Sequence, residues 1–413
     1  MDLDGKREAL VEFARGFYAN RIAIDLGKSV ETTLESLVRP ATPLIQMAHD
    51  GQLPHLGIVR MVIKADQIVR LAGGGVTLYL VGNHYSPSMR PENIRFGMPL
   101  KGQSPDDVKH PPRVRIGKAN ARTPFRWLKP PAQEDLLRLH DQVRDFVTNN
   151  LTHEEKEGRT LVPQTESQIA SRLETAFALL RTAAASVANF GDWLVRVQHD
   201  LFHVLLGEEA DRILFLPMAD LATLLGPELV RLSRDSDTVA RLKSEVSADQ
   251  TARGEEPYLR GGESHAFWIH CPSCFRRQRA PWSPEGSLEF ACRACGQRRR
   301  MEGGALWDWM MPDIVAYEAA LFRLGIDGWV VGSHASYHPV IERVYATVFG
   351  GEVPPRFFLT SVPTFRGLGD PPEGYRRTRL LRALLEMEPA AIANALRAPW
   401  EENPSLRSDL FSP

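Results

Sequence analysis

Cysteine is scarce in this chain: four residues in 413, all between positions 271 and 295. The rest of the protein therefore offers no thiol as nucleophile, metal ligand or disulfide partner. Lysine stops at Lys243, so no lysine ammonium can act in the last 170 residues, where every strong cation is arginine. Codon bias in a GC-rich genome is the simplest source of that pattern. Long hydrophobic runs are missing too. No apolar stretch reaches the ~18 residues of a membrane helix, and Met1 to Leu10 is charged and lacks the apolar segment of a secretory signal. Net charge is close to nil, at -1, so no global field draws the chain to nucleic acid or to a membrane. We therefore expect a cytoplasmic protein with no membrane partner. Hydrophobic residues make up 43%, enough for a sizeable core, and the length favours two or three structural units.

The four cysteines form two Cys-x-x-Cys pairs, Cys271 with Cys274 and Cys292 with Cys295, separated by seventeen residues. That spacing is expected of a four-thiolate zinc ribbon. Each short turn places two thiolates on one metal, and two turns complete a tetrahedron. Gly296 can supply a positive φ behind the second pair. Phe267-Trp268-Ile269 and Leu288-Glu289-Phe290 read as the strands leading into the turns. Disulfides are the competing reading and suit a cytosolic chain poorly. A closed four-sulfur site has no place for water, so this zinc is expected to be structural. Arg276, Arg277, Arg279, Arg298, Arg299 and Arg300 make the ribbon basic. They are either a solvated face or a phosphate-binding one.

Hydrophobic periodicity divides the remainder. Residues 4–38 read as amphipathic helix, within an N-terminal segment of helices over 1–40, with Leu10, Phe13, Phe17 and Ile22 near helical spacing. Pro43 to Ala48 reads as a strand, Ile58 to Leu71 as a helix stopped by Gly73-Gly74-Gly75, and Val76 to Val81 as a nearly continuous apolar strand. That is a βαβ unit of a parallel sheet, within a first half spanning 41–131. Residues 132–263 are mainly helical, with a strand at Arg212 to Met218 and a polar linker over 247–263. The ribbon takes 264–303. Residues 304–370 hold a helix at Ile314 to Leu324 and then a second strand–loop–helix unit, with Gly328 to Val331 as strand and Val340 to Phe349 as helix. A helix over Thr378 to Leu396 and a polar tail fill 371–413.

Parallel sheets bind ligands beyond the carboxyl ends of their strands. Three loops qualify by position. The first runs from His49 to Gly57, with Gln52 and His55 inside it. The second is Gly82-Asn83-His84-Tyr85-Ser86. The third is Gly332 to His338, with His334 and Tyr337. The first and third precede a helix N-terminus, a ready anion site. Imidazoles there can hydrogen-bond phosphate oxygens or stabilise developing negative charge. Taken singly, each histidine is as well explained as a surface or capping residue.

Gly51-Gln52-Leu53-Pro54-His55-Leu56-Gly57-Ile58, continuing to Val81, resembles the first nucleotide-binding half of class I aminoacyl-tRNA synthetases. Their His-Ile-Gly-His signature would fall on His55 to Ile58, matching at His55 and Gly57. Gly332 to His338 resembles their loop near the adenosine ribose, with His334 where an aspartate is expected. The order of ribbon, Ile326-Asp327-Gly328 and Gly332 to Tyr337 is similar to that of class I lysyl-tRNA synthetases, which also insert a zinc ribbon. The bacillithiol cysteine-adding enzymes, with a Gly-Gln-Gln-Pro loop where Gly51 to Pro54 stands, are similar in the middle region as well: Phe190 to Trp193, Leu201-Phe202 and Asp211 to Pro227. The resemblance implies a Rossmann-like (HUP-type) doubly wound core with a helical insertion. It implies ATP or another nucleotide as cofactor, bound by His55, Gly57, Gly332 and His338. Two departures stand out. The lysine-rich loop expected near Phe357 to Asp370 has no lysine, and Arg366 is its only cation. Under 50 residues follow, too few for a large anticodon-binding domain.

The leading expectation is a ligase that joins an amino acid, cysteine being one candidate, to a small-molecule acceptor and does not charge tRNA. His55, His84 and His334 are its expected catalytic groups, and His49, Gln52, Asn83 and Tyr337 its substrate contacts. The alternative is a non-catalytic RNA-binding protein using the basic ribbon.

Overall fold

The computed structural model describes residues 3–39, 41–89, 114–115, 118–156, 166–258, 267–279, 287–302, 304–332, 336–358, 380, 384–385 and 388–401. The N-terminal region forms two helices, α1 (Leu3–Asn20) and α2 (Lys28–Leu37). Between them Ala23 has left-handed backbone, φ 50, which no α-helix continues through, and the Arg196 guanidinium satisfies the carbonyls of Ile22 (2.6 Å) and Ala23 (3.1 Å).

The βαβ unit forms as the apolar pattern predicts: β1 (Leu44–Asp50), α3 (Leu56–Leu71) and β2 (Val76–Gly82), with β1 and β2 parallel from Leu44↔Val76 to Asp50↔Gly82. His49 and Asp50 are the last residues of β1, so the first loop starts at Gly51. Three long helices follow, α4 (Gln133–Lys156), α5 (Glu166–Ser186) and α6 (Phe190–Leu206), and then strand β3 (Ile213–Pro217). Beyond it run α7 (Gly226–Arg234) and α8 (Ser236–Ala252). The linker expected over 247–263 is thus helix as far as Ala252. Gln250 holds the chain beyond it, its Oε1 accepting from the Tyr258 amide at 3.0 Å.

The ribbon contributes β4 (Phe267–His270), β5 (Arg277–Arg279), β6 (Ser287–Ala291) and β7 (Arg298–Glu302). After α9 (Gly304–Trp309), strand β8 (Met310–Pro312) pairs antiparallel with β4. Helix α10 (Ile314–Leu321), β9 (Gly328–Val331), α11 (His338–Phe349) and β10 (Arg356–Phe358) complete the second half, and α12 (Pro389–Glu401) is the C-terminal helix. The expected helix start at Thr378 lies outside the described residues.

One five-stranded sheet, in the order β10-β9-β1-β2-β3 and parallel throughout, joins the two halves. Helices flank it on both faces. Neighbouring residues of a strand point to opposite faces. Ile45 packs against Ala65, Ile68 and Val69 of α3, whereas the Gln46 amide bonds Glu318 of α10. The exposed edge at β3 is closed by α1, whose Tyr18 hydroxyl accepts from the Phe215 amide at 2.9 Å. Among the described residues, no helix is long and apolar enough to cross a membrane.

Candidate functional sites: a four-cysteine cluster and a crevice

The ribbon's two Cys-x-x-Cys turns fold as near copies of each other. The amide of Phe275 donates to Cys271 O (2.8 Å) and that of Cys271 to Arg276 O (3.1 Å). Gly296 donates to Cys292 O (2.9 Å) and Cys292 to Gln297 O (2.8 Å). The residue behind each pair has left-handed backbone, Gly296 at φ 72 as expected and Phe275 at φ 57. A phenylalanine there is unusual, and its ring contacts, described below, hold it in place. The four sulfurs lie within 4.8 Å of one another. Across the turns, Cys271 Sγ is 3.6 Å from Cys295 Sγ, and Cys274 Sγ 3.6 Å from Cys292 Sγ. A disulfide requires about 2.05 Å, whereas a tetrahedron with metal–sulfur bonds of about 2.3 Å has edges of about 3.8 Å. The donor set and its spacing fit a metal such as zinc, and all four ligands are the ones the spacing predicts.

The carboxyl ends of β1, β2, β3 and β9 share one edge of the parallel sheet, which places the expected loops side by side. β1 pairs with β9 through Ile45↔Gly328 and Gln46↔Trp329; continued to the strand ends, that register sets Gly332 beside His49. Gly332 also lies close to α3, where a Cβ on it would meet Met61 Sδ at 3.8 Å. His49, Gln52 and His55 cluster. The His49 and His55 rings meet edge to face at 5.7 Å, and Gln52 Nε2 lies 3.4 Å from His49 Nδ1. His55 caps α3, its Nδ1 accepting from the Ile58 amide at 3.3 Å. That bond requires a bare Nδ1, so the neutral ring carries its proton on Nε2 as a donor. Gly57 is in the first turn of α3, which holds no acidic residue to repel an anion. The His84 ring lies against that of Tyr85, centroids 4.0 Å apart and planes tilted by 39°. Tyr337 borders α11, half-exposed. His334 lies outside the described residues.

Two expected ligand contacts have internal roles instead. Asn83 is wholly buried, its Oδ1 accepting from the Ala219 amide (2.9 Å) and its Nδ2 donating to Asp220 (2.7 Å). It ties the end of β2 to the turn after β3 and is not open to substrate. His338 is 3% exposed and packs against Trp329 and Tyr337. Burial, with Arg356 nearby, pushes its pKa down to about 3, so it stays neutral and faces the core.

Gly51, which looked like mere loop, is a tight crossing. Its amide donates to Gly82 O at 2.7 Å, and a Cβ would stand 2.1 Å from that oxygen. Gly51→Ala is expected to cost more than ~3 kcal/mol in urea denaturation, because backbone would have to move. Gly16→Ala, in open space on α1, should gain up to ~1 kcal/mol. Equal effects of the two would discount the crossing.

Sequence reasoning missed a second group at this edge. The Lys243 ammonium pairs with Asp313, which also caps α10 through the Ala316 amide at 2.8 Å. The Tyr258 hydroxyl is 3.5 Å from the same carboxylate, and its ring is 6.3 Å from that of Tyr337. Desolvation, with the Asp313 carboxylate beside it, pushes the Tyr258 hydroxyl well above its ordinary range. Gln250, buried, bonds both the Tyr258 amide and Ser336 O (2.7 Å), clamping the third loop to α8. The only signal in the sequence was that Lys243 is the last lysine. No protein-family model matches the chain, and no curated protein matches it either.

Proposed function

We propose that the protein is a class I synthetase-like ligase, with a Rossmann-like core of HUP type, that joins an amino acid to a small-molecule acceptor in the crevice at the carboxyl edge of the sheet. The observation that carries this reading is the β1–β9 pairing, which brings loops some 280 positions apart in sequence to one edge. With the first strand central, the next two on one side and the last two on the other, the order is that of a doubly wound fold. Its switch point lies between β1 and β9, where such sheets take ligands.

The residues present fit a nucleotide phosphate: a helix N-terminus with no acidic residue in its first turn, the Gly57 backbone and the imidazole of His55. When bound, a nucleotide would supply activation of the amino acid's carboxyl group. His55 donates to an anionic oxygen, His49, held by the buried Gln52, orients the substrate beside it, and His84 on the loop after β2 is the candidate acid–base group. Zinc, held by Cys271, Cys274, Cys292 and Cys295, is structural. In a thermal-shift screen, ATP and free amino acids are expected to raise Tm. His55→Asn, which keeps a capping side chain but removes the imidazole, is expected to abolish the ATP shift. An unchanged ATP shift in that variant would remove His55 from the site, and no shift by any nucleotide or amino acid would end the ligase reading.

A second reading has its own observation. Residues 267–302 carry seven arginines against three glutamates in a chain of net charge -1. Arg276, Arg293, Arg298 and Arg299 are exposed, without an ion pair among the described residues. Stabilisation by short RNA alone, falling steeply with salt, would favour RNA binding.

A further inference from the structure

A continuous set of contacts joins the ribbon to the crevice wall. Phe275, the residue that closes the first cysteine turn, stacks on Trp127 with centroids 6.1 Å and planes 29° apart. Trp309, which ends α9, stacks on Trp127 at 4.2 Å and lies 6.4 Å from Phe275. Trp127 closes the short turn Phe125–Trp127. Two backbone bonds lay that turn along the second crevice loop: the Phe125 amide donates to Tyr85 O (2.8 Å) and the Arg126 amide to Asn83 O (3.1 Å). The two bonds bracket His84. Arg126 reinforces them, its Nη2 3.1 Å from Asp220, the carboxylate that also accepts from Asn83.

We infer that the first cysteine turn braces the crevice: Phe275, acting through Trp127 as a positioning residue, holds the Asn83–Tyr85 loop, so that metal lost from the ribbon loosens His84. No cysteine need approach the crevice for this. The ring contacts would act only while the turn keeps Phe275 in its left-handed conformation, and metal coordination is what fixes that turn. Without it, a φ of 57 costs a phenylalanine more than the relaxed backbone does, and the ring withdraws. The inference rests on the crevice reading only for its functional meaning; the coupling itself is a matter of structure.

The variant Phe275→Gly isolates the brace. Gly296 shows that glycine suits this backbone position, so the turn and its metal should survive while the ring is gone. Modification of histidines by diethyl pyrocarbonate, read peptide by peptide in a mass spectrometer, reports on His84. His203, bonded to Asp211 at 3.0 Å just before β3 and hence at the opposite edge of the sheet, serves as control. Zinc content is measured on the same samples. In zinc-loaded Phe275→Gly, His84 is expected to react about tenfold faster than in wild type, with His203 unchanged, because weakened packing raises local opening. Chelator-treated wild type and Trp127→Ala, which leaves the cysteine turn alone, should match it. Trp127→Phe, retaining a flat ring, should stay near wild type. Unchanged His84 reactivity in Phe275→Gly and Trp127→Ala would overturn the brace, as would a parallel rise at His84 and His203. No ligand enters this experiment, so its failure is separate from failure of the thermal-shift screen.

Discussion

Native mass spectrometry is expected to find one zinc ion per chain, and Cys271→Ser combined with Cys292→Ser is expected to abolish it. The effect should be the largest of any substitution considered. Structural zinc contributes on the order of 10 kcal/mol to the folding of small zinc modules, and the ribbon has little else to hold it. Among the described residues its β6–β7 hairpin pairs with no other strand, and of the five residues of β7 only Met301 is buried. The loss should be local. β4 pairs with β8, which leads into the second half, while the five-stranded sheet, as described, contains no residue of the ribbon. Limited trypsin digestion distinguishes these parts. Cleavage behind Arg293 and Arg298 should accelerate on the order of a hundredfold in the double variant, with the sheet still intact by circular dichroism. A metal-free wild-type protein whose ribbon resists trypsin would refute the structural role.

How much of this could be read in advance depends on the range of the interactions. The ribbon was legible because its ligands are local pairs of one residue type with a fixed spacing. The strands β1, β2, β3 and β9 were legible because each is a short, nearly continuous apolar run, as burial on both faces requires. Helix α3 was read correctly in extent but not in environment. The apolar residues of the run mark only one buried face, yet Arg60, Lys64, Asp66 and Gln67 are buried as well. The cause is distant in sequence: α12 returns across α3, where the Lys64 ammonium meets Arg397 O at 3.4 Å, and Arg212 pairs with Asp66 at 3.0 Å. The same limit explains the crevice. The loops could be nominated from strand ends, but whether Asn83 faced substrate or Asp220, and whether His338 faced cleft or core, depended on partners with no sequence signature. The Lys243–Asp313–Tyr258 group was invisible for that reason.

Glu318 is expected to make the protein less stable in mild alkali than in mild acid. Its carboxyl sits wholly within the protein between α10 and β1, bonded by the Gln46 side chain, and burial pushes its pKa up to about 7. The folded state therefore holds a proton that the unfolded chain has already released above its ordinary carboxylate range. Stability tied to this group is fully present at low pH. It declines from the ordinary carboxylate range up to about pH 7 by ~1.4 kcal/mol per pH unit, a total of ~3 kcal/mol by pH 8. His338 acts in the opposite sense. Its depressed pKa means that stability is lost as pH falls below the ordinary imidazole value, so the pH profile of the wild type alone would mix the two. The variant Glu318→Gln separates them, because it keeps the shape and a hydrogen-bonding amide but cannot ionise. Urea denaturation at pH 5 and pH 8 should show the variant gaining on wild type by roughly 2–3 kcal/mol across that interval, since part of the loss is already complete at pH 5, with the His338 contribution cancelling in the difference. Parallel pH profiles for the two proteins would mean that Glu318 is as easily ionised in the folded sheet as in the unfolded chain, and that the polar contact between β1 and α10 is wetter than its complete burial implies.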